Sequence, residues 1–141
     1  MSEVRDESTK APRRLRVFVA DDHRDTALTT VAILLDDGYE ARAFNSGRDV
    51  MKAVIESSPD AVVLDIDMPE ISGWQVAQTI RARGGRLPLI IGISGYYTKG
   101  SDIALAEMSG FHHYLVKPVS PKELVRLLSL LRDPAAAAIR A

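Results

Sequence analysis

Cysteine is missing from the 141-residue chain, which excludes disulfides, thiolate metal sites, iron–sulfur clusters and a catalytic thiol. An excess of charge of either sign is missing too, since 18 Lys and Arg against 19 Asp and Glu leave a formal net charge of −1. No global positive field therefore gathers nucleic acid or an anionic membrane, and direct binding to either is not expected. No apolar run approaches the ~18 residues that span a bilayer. Arg13-Arg14 precedes the apolar run Leu15 to Ala20, but Asp21-Asp22 ends that run before an export signal forms. A cytoplasmic location is the expectation, and the length suits one domain with an adequate core.

What is present is a regular alternation of two periodicities. Residues 1–14 are polar and aperiodic, which reads as a flexible N-terminal tail. Leu15 to Ala20 is a short β-branched run, and Leu28, Val31, Leu34 and Leu35 then recur at helical spacing until Gly38. Tyr39 to Phe44 alternates as a strand does, and Ser46 with Asp49 has the spacing of a capping box ahead of Val50, Met51, Val54 and Ile55. Ala61 to Leu64 reads as a strand buried on both faces, followed by a helix through Val76, Ala77 and Ile80 that ends at Gly84-Gly85. Leu87 to Ile93 is the next strand, and Ile103, Ala104, Ala106 and Met108 lie on a helix closed by Gly110. Tyr114 to Val116 forms the last strand. Ser120-Pro121-Lys122-Glu123 then opens a final helix carrying Leu124, Val125, Leu127, Leu128 and Leu131. Residues 133–141 form an Ala-rich C-terminal tail, leaving 15–132 as the domain. Five β-α units imply an open, doubly wound α/β domain with a parallel sheet and helices on both faces. Pattern alone does not fix the strand order, for which the flavodoxin-like 2-1-3-4-5 is the leading candidate.

Such sheets bind ligands outside the carboxyl ends of their strands. The residues there are Asp21 and Asp22 after the first strand, Asp65 after the third, Ser94 after the fourth, and Lys117-Pro118 after the fifth. Like charges ~4 Å apart at an effective dielectric of ~20 cost about 4 kcal/mol per pair, so the carboxylates need a cation. Hard oxygen donors with an incomplete protein shell suit Mg²⁺ best. Plainer roles exist for each residue. Asp21 or Asp22 could cap a helix, Ser94 could be a turn residue before Gly95, and Lys117 could be a surface lysine packing its stem. Their joint occupation of strand ends points to a site. His112-His113 are not expected to bind metal, because neighbours on an extended chain face opposite ways.

With these residues in place, the sequence resembles the receiver domain of two-component response regulators over about Leu15 to Arg132. The resemblance rests on Val19-Ala20-Asp21-Asp22, Val62-Val63-Leu64-Asp65-Ile66-Asp67-Met68-Pro69 with Gly73, Ile93-Ser94-Gly95, and Tyr114-Leu115-Val116-Lys117-Pro118. It implies the 2-1-3-4-5 order, for which the chemotaxis regulator is a general example. It also implies Asp65 as phosphoacceptor, Asp22 as metal ligand, Asp21 acting largely through a metal-bound water, and the backbone carbonyl of Asp67 completing the set. Lys117 and Ser94 would contact the phosphoryl oxygens, while Ser94 and Tyr114 would act as the switch pair. A plainer reading of Tyr114 is an ordinary strand aromatic. Tyr96 is expected to shield the acyl phosphate from water. Ser72 stands where the family often has aspartate and can still cap the third helix. The implied partners are a histidine kinase or histidine phosphotransfer protein and an unidentified downstream protein. The output face, about Ser101 to Leu131, could also support a phosphorylation-dependent homodimer. Such a domain modifies itself and is not a turnover enzyme. Two alternatives stand beside it. One is a haloacid-dehalogenase-like phosphatase built on Asp65-Ile66-Asp67, disfavoured because Asp21-Asp22 precedes that motif. The other is a degenerate receiver that serves only as a binding module.

Overall fold

The computed structural model describes residues 14–95 and 110–132. The tails expected before residue 14 and after 132, Tyr96, and the helix expected through Ile103 and Met108 lie outside the described residues. The strands are β1 (Arg16–Ala20), β2 (Glu40–Phe44), β3 (Ala61–Asp65), β4 (Leu89–Ser94) and β5 (His113–Val116). The helices are α1 (Arg24–Asp36), α2 (Gly47–Ser57), α3 (Gly73–Arg83) and α4 (Pro121–Leu128), the last running into a 3₁₀ turn at Ser129–Arg132. One parallel sheet takes the order β2-β1-β3-β4-β5, as expected.

Strand periodicity sorts the apolar side chains into two cores. Phe18, Ala20, Val62, Leu64 and Ile90 face α2 and α3, where they meet Val50, Val54, Val76 and Ile80. Val17, Val19, Val63, Ile91 and Ile93 face α1 and α4, where they meet Val31, Leu34, Leu124 and Leu128. Because β3 is buried along its whole length, its sequence is continuously apolar up to Asp65. α1 buries Ala27, Val31 and Leu34, spaced by four and three residues, and ends at Asp36; past the C-cap Asp37, Gly38 takes a φ of +93° that suits a residue without Cβ.

Capping follows the side chains available. At Ser72 the capping box is complete: its hydroxyl accepts from the Gln75 N–H at 3.2 Å, and Gln75 Oε1 accepts from the Ser72 N–H at 2.8 Å. At Ser46 the expected box is corrected to its serine half, the hydroxyl accepting from the Asp49 N–H at 3.1 Å. The shorter aspartate gives up the reach that Gln75 has. The strand expected from Leu87 begins at Leu89, because Pro88 has no N–H for the ladder. The last helix is regular only to Leu128, so Leu131 lies in the 3₁₀ turn.

At the amino ends of the strands, buried Asp60 acts as a clamp. Its Oδ2 accepts from the Arg16 N–H at 2.8 Å, its Oδ1 pairs with Arg86 at 3.3 Å, and its own carbonyl accepts from the Leu89 N–H at 3.0 Å. β1, β3 and β4 are thus held in register at one end, which fixes where their carboxyl ends emerge at the other.

Candidate phosphoacceptor site

Backbone hydrogen bonds carry the sheet past its strand ends and hold the rim residues rigidly. The Asp21 N–H donates to the Phe44 carbonyl at 3.0 Å, the Ile66 N–H to Ile93 at 2.8 Å, and the Lys117 N–H to Ser94 at 2.8 Å. Gly73, the first residue of α3, lies against Asp65 so closely that a Cβ there would sit 2.5 Å from the Asp65 carbonyl oxygen. The glycine therefore lets α3 start directly against the Asp65 backbone.

Asp65 is 3% exposed and Asp21 is 5% exposed, so both carboxylates are largely cut off from bulk water. Lys117 Nζ stands 3.4 Å from Asp65 Oδ2 and 3.4 Å from Asp21 Oδ2. One ammonium is shared between two carboxylates at separations longer than the ~2.7–2.9 Å of a tight charge-assisted hydrogen bond. Asp65 Oδ1 also accepts from the Asp67 N–H at 3.2 Å. Burial, reinforced by the Asp21 charge, pushes the Asp65 carboxyl up to about 6 against the pull of Lys117. Burial works to lower the Lys117 ammonium, but Asp65 and Asp21 outweigh it and hold that group above its ordinary value. Among the described residues, one ammonium, that of Lys117, meets the carboxylates of Asp21 and Asp65, with the Asp22 carboxylate in the same cluster.

Asp22 is half-buried. Its Oδ1 is shielded from solvent and has no hydrogen-bond partner among the described residues, although His23 Nδ1 lies 3.4 Å away. That contact is an approach of polar groups rather than a hydrogen bond. Donor atoms of Asp21, Asp22, His23 and Asp65 all lie within 4.8 Å of one another. Two ligands opposed across an ion at ~2.1 Å stand about 4.2 Å apart, so the cluster is close to the size of one coordination sphere. Carboxylate donors, a shielded unpartnered oxygen and surplus negative charge together fit a hard divalent cation.

Ser94 is fully buried and its Oγ donates to Asp67 Oδ2 at 3.3 Å, which ties the fourth strand end to the loop after the third. The structure therefore brings Asp21, Asp22, Asp65 and Lys117 into one cluster and sets Ser94 and Asp67 at its margin. Tyr114 stands apart from that cluster, half-buried on β5 and packed against the core beneath α2 and α3. Helix capping explains neither Asp21 nor Asp22, because His23 is the N-cap of α1 and Asp21 Oδ1 accepts from the N–H of that N-cap residue, at 2.9 Å, rather than from the first turn of the helix.

Two features were not anticipated from sequence. His23 joins the acidic cluster, and the signal was its place directly after Asp21-Asp22. A cleft of about 550 Å³ also runs from Asp21, Asp65 and Lys117 down between α1 and the start of α4, walled by Thr26, Thr30, Val119 and Leu124. The adjacent histidines serve separate ends. His112 brackets Ile90, its N–H donating to the Ile90 carbonyl at 2.8 Å while its Nδ1 accepts from the Ile90 N–H at 2.9 Å. His113 is held below its ordinary value by burial and by Arg126.

Acidic strand ends facing a lysine at the carboxyl edge of a 2-1-3-4-5 sheet have a counterpart among known families. The response regulator receiver domain matches residues 17–129. The chain belongs to that family. Among curated relatives, the DNA-binding response regulator MtrA of Mycobacterium tuberculosis is 33% identical over 112 residues, covering 79% of this chain and 48% of the relative. The transcriptional regulatory protein PcoR of Escherichia coli is 30% identical over 122 residues, covering 83% of this chain and 51% of that protein. This receiver thus spans about half the length of the curated relatives it matches. Among solved structures, the receiver domain of the Mycobacterium tuberculosis response regulator NarL shares 27% identity at a TM-score of 0.75, covering 86% of this chain and 99% of that one. The receiver domain of Francisella response regulator 1452 superimposes at a TM-score of 0.80 with 23% identity over 86% of this chain and 99% of that one, which speaks to the fold alone. Family membership favours signalling over the phosphatase alternative. Among the described residues, no helix is long and apolar enough to cross a membrane.

Proposed function

We propose that this receiver takes a phosphoryl group onto Asp65 from the phosphohistidine of a histidine kinase or phosphotransfer protein. The observation that carries the proposal is the pairing of a buried, charge-crowded Asp65 carboxylate with Lys117 Nζ at 3.4 Å. A carboxylate oxygen of Asp65 attacks phosphorus, the phosphorus–nitrogen bond breaks, and the imidazole leaves with a proton, giving an acyl phosphate. Lys117 pairs with the charge gathered on the phosphoryl oxygens. The Ser94 hydroxyl, now given to Asp67, turns to donate to one of those oxygens. Asp21, Asp22, Asp65 and the backbone carbonyl of Asp67 would hold Mg²⁺, which when bound neutralises charge on the attacked phosphate. Expulsion of that group to water restores the carboxylate, so the domain modifies itself and does not turn over an external substrate.

The added charge and acceptor oxygens draw Ser94 inward, and Tyr114 moves with it to change the β5 face. Output then proceeds through a protein partner or pairing of two copies, within a domain bounded by residues 15–132 and located in the cytoplasm. The net charge of −1 gives this chain no general attraction to DNA. Intact mass after incubation with acetyl phosphate and Mg²⁺ tests the chemistry. One added phosphoryl group is expected in wild type and none in Asp65→Asn or with EDTA. An adduct insensitive to both would overturn the assignment. Absence of both an adduct and beryllofluoride binding in wild type would instead support the binding-module alternative.

A further inference from the structure

His23 lies outside the residue set assigned above, yet it enters the same cluster. It is the N-cap of α1 with extended backbone (φ −87°, ψ 105°), and its N–H is held by Asp21 Oδ1 at 2.9 Å. That bond turns the imidazole back over the acidic pair, where Nδ1 is 3.4 Å from Asp21 Oδ1 and 3.4 Å from Asp22 Oδ1. The ring is otherwise 71% exposed, so burial does not explain its position. The Asp22 Oδ1 it approaches is the shielded oxygen that has no hydrogen-bond partner among the described residues. One ring nitrogen of His23 and one carboxylate oxygen each from Asp21, Asp22 and Asp65 fall within one 4.8 Å group.

We infer that His23 is a nitrogen ligand of the cation site and biases it toward divalent transition metals such as Mn²⁺ over Mg²⁺. The inference rests on the metal-assisted reading of Asp65 and deepens it. An all-oxygen set selects among hard cations by size and ligand number, whereas one imidazole adds a donor that Mg²⁺ uses poorly, that Mn²⁺ accepts better, and that the later first-row ions accept best. Nδ1 is already on the cluster, so binding needs only a small rotation of a solvent-facing ring. The backbone bond to Asp21 limits how far that ring can swing.

The test uses the full chain freed of metal. Calorimetric titration with Mg²⁺ alone and Mn²⁺ alone is run on wild type, His23→Ala and Asp22→Asn, and the Mn²⁺-loaded samples are examined by electron spin-echo envelope modulation. Wild type is expected to show a directly bound imidazole nitrogen, and His23→Ala to lose that signal while still binding Mn²⁺. The preference for Mn²⁺ over Mg²⁺ should fall by about tenfold in His23→Ala, with Mg²⁺ affinity changed less than about twofold. Nitrogen modulation absent from Mn²⁺-loaded wild type, or persisting in His23→Ala, would overturn the inference and leave the oxygen site intact. Failure of wild type to bind either ion, or undiminished binding in Asp22→Asn, would overturn the acidic metal site itself and the inference with it.

Discussion

Asp65 and Asp60 show how the same residue type serves opposite purposes at the two ends of one strand layer. Asp60 is buried with its oxygens matched to the part-buried Arg16 N–H and to the largely exposed Arg86, so removing its carboxylate leaves the Arg16 N–H unmet while Arg86 turns to water. Asp60→Ala is expected to cost on the order of 1–3 kcal/mol, measured by urea unfolding. Asp65 is buried among like charge with one shared ammonium, so its ionised form is costly to the fold. Its folded carboxyl is raised to about 6 from 3.8, so the native state holds that proton more tightly than the unfolded chain does. Between about pH 4 and pH 6 this group therefore makes stability fall as pH rises. Without metal, Asp65→Asn should be more stable than wild type by on the order of 1–2 kcal/mol at pH 7.5, with most of that advantage gone at pH 4.5. Denaturant unfolding at both values checks the sign, and a variant less stable at pH 7.5 would show that the Lys117 pair outweighs the crowding.

Among the elements, those that build the rim were legible in the sequence wherever an apolar run ends abruptly in a charge. Val63-Leu64-Asp65 and Val19-Ala20-Asp21 are such junctions, because a strand buried on both faces tolerates a carboxylate only where it leaves the sheet. Elements governed by reach or by a missing donor were less legible. Ser46 and Asp49 have the spacing of a capping box but not its length, and Pro88 delays β4 to Leu89. The position of His23 depends on a backbone bond to Asp21 that no hydrophobic period encodes. The glycine at the start of α3 was visible, but its task was not: any Cβ at Gly73 would meet the Asp65 carbonyl at 2.5 Å. Gly73→Ala should therefore force the Asp65 backbone away from α3. Loss of about 2 kcal/mol or more and at least a tenfold slower phosphorylation are expected. Ser72→Ala, which removes only the cap, should cost about 1 kcal/mol and leave the phosphorylation rate nearly unchanged. Unfolding curves with acetyl phosphate time courses separate the two.

For the whole molecule, the sheet is a scaffold clamped at its amino ends by Asp60 and charged at its carboxyl ends. Folding brings Asp21, Asp22 and Asp65 together against the Lys117 ammonium, an opposition that a bound cation would relieve. Divalent metal should then raise the melting temperature of wild type, the gain growing with the logarithm of metal concentration once that exceeds the Kd. The gain should shrink in Asp22→Asn, and scanning calorimetry across a Mg²⁺ series would show it. A melting temperature indifferent to metal in wild type would place the cation elsewhere. A site switch at Ser94 and Tyr114 is the route proposed for carrying phosphorylation to the β5 face.

The most direct measurement is to locate the phosphoryl group by chemistry that marks an acyl phosphate. The phosphorylated chain is reduced with borohydride, which converts a phosphorylated aspartyl side chain to homoserine, and the peptides are mapped by mass. Homoserine at Asp65 alone, dependent on donor and metal, is the predicted result. Homoserine at Asp21, Asp22 or Asp67, or label that resists reduction because it sits on a hydroxyl or imidazole, would contradict the assignment of Asp65 as phosphoacceptor.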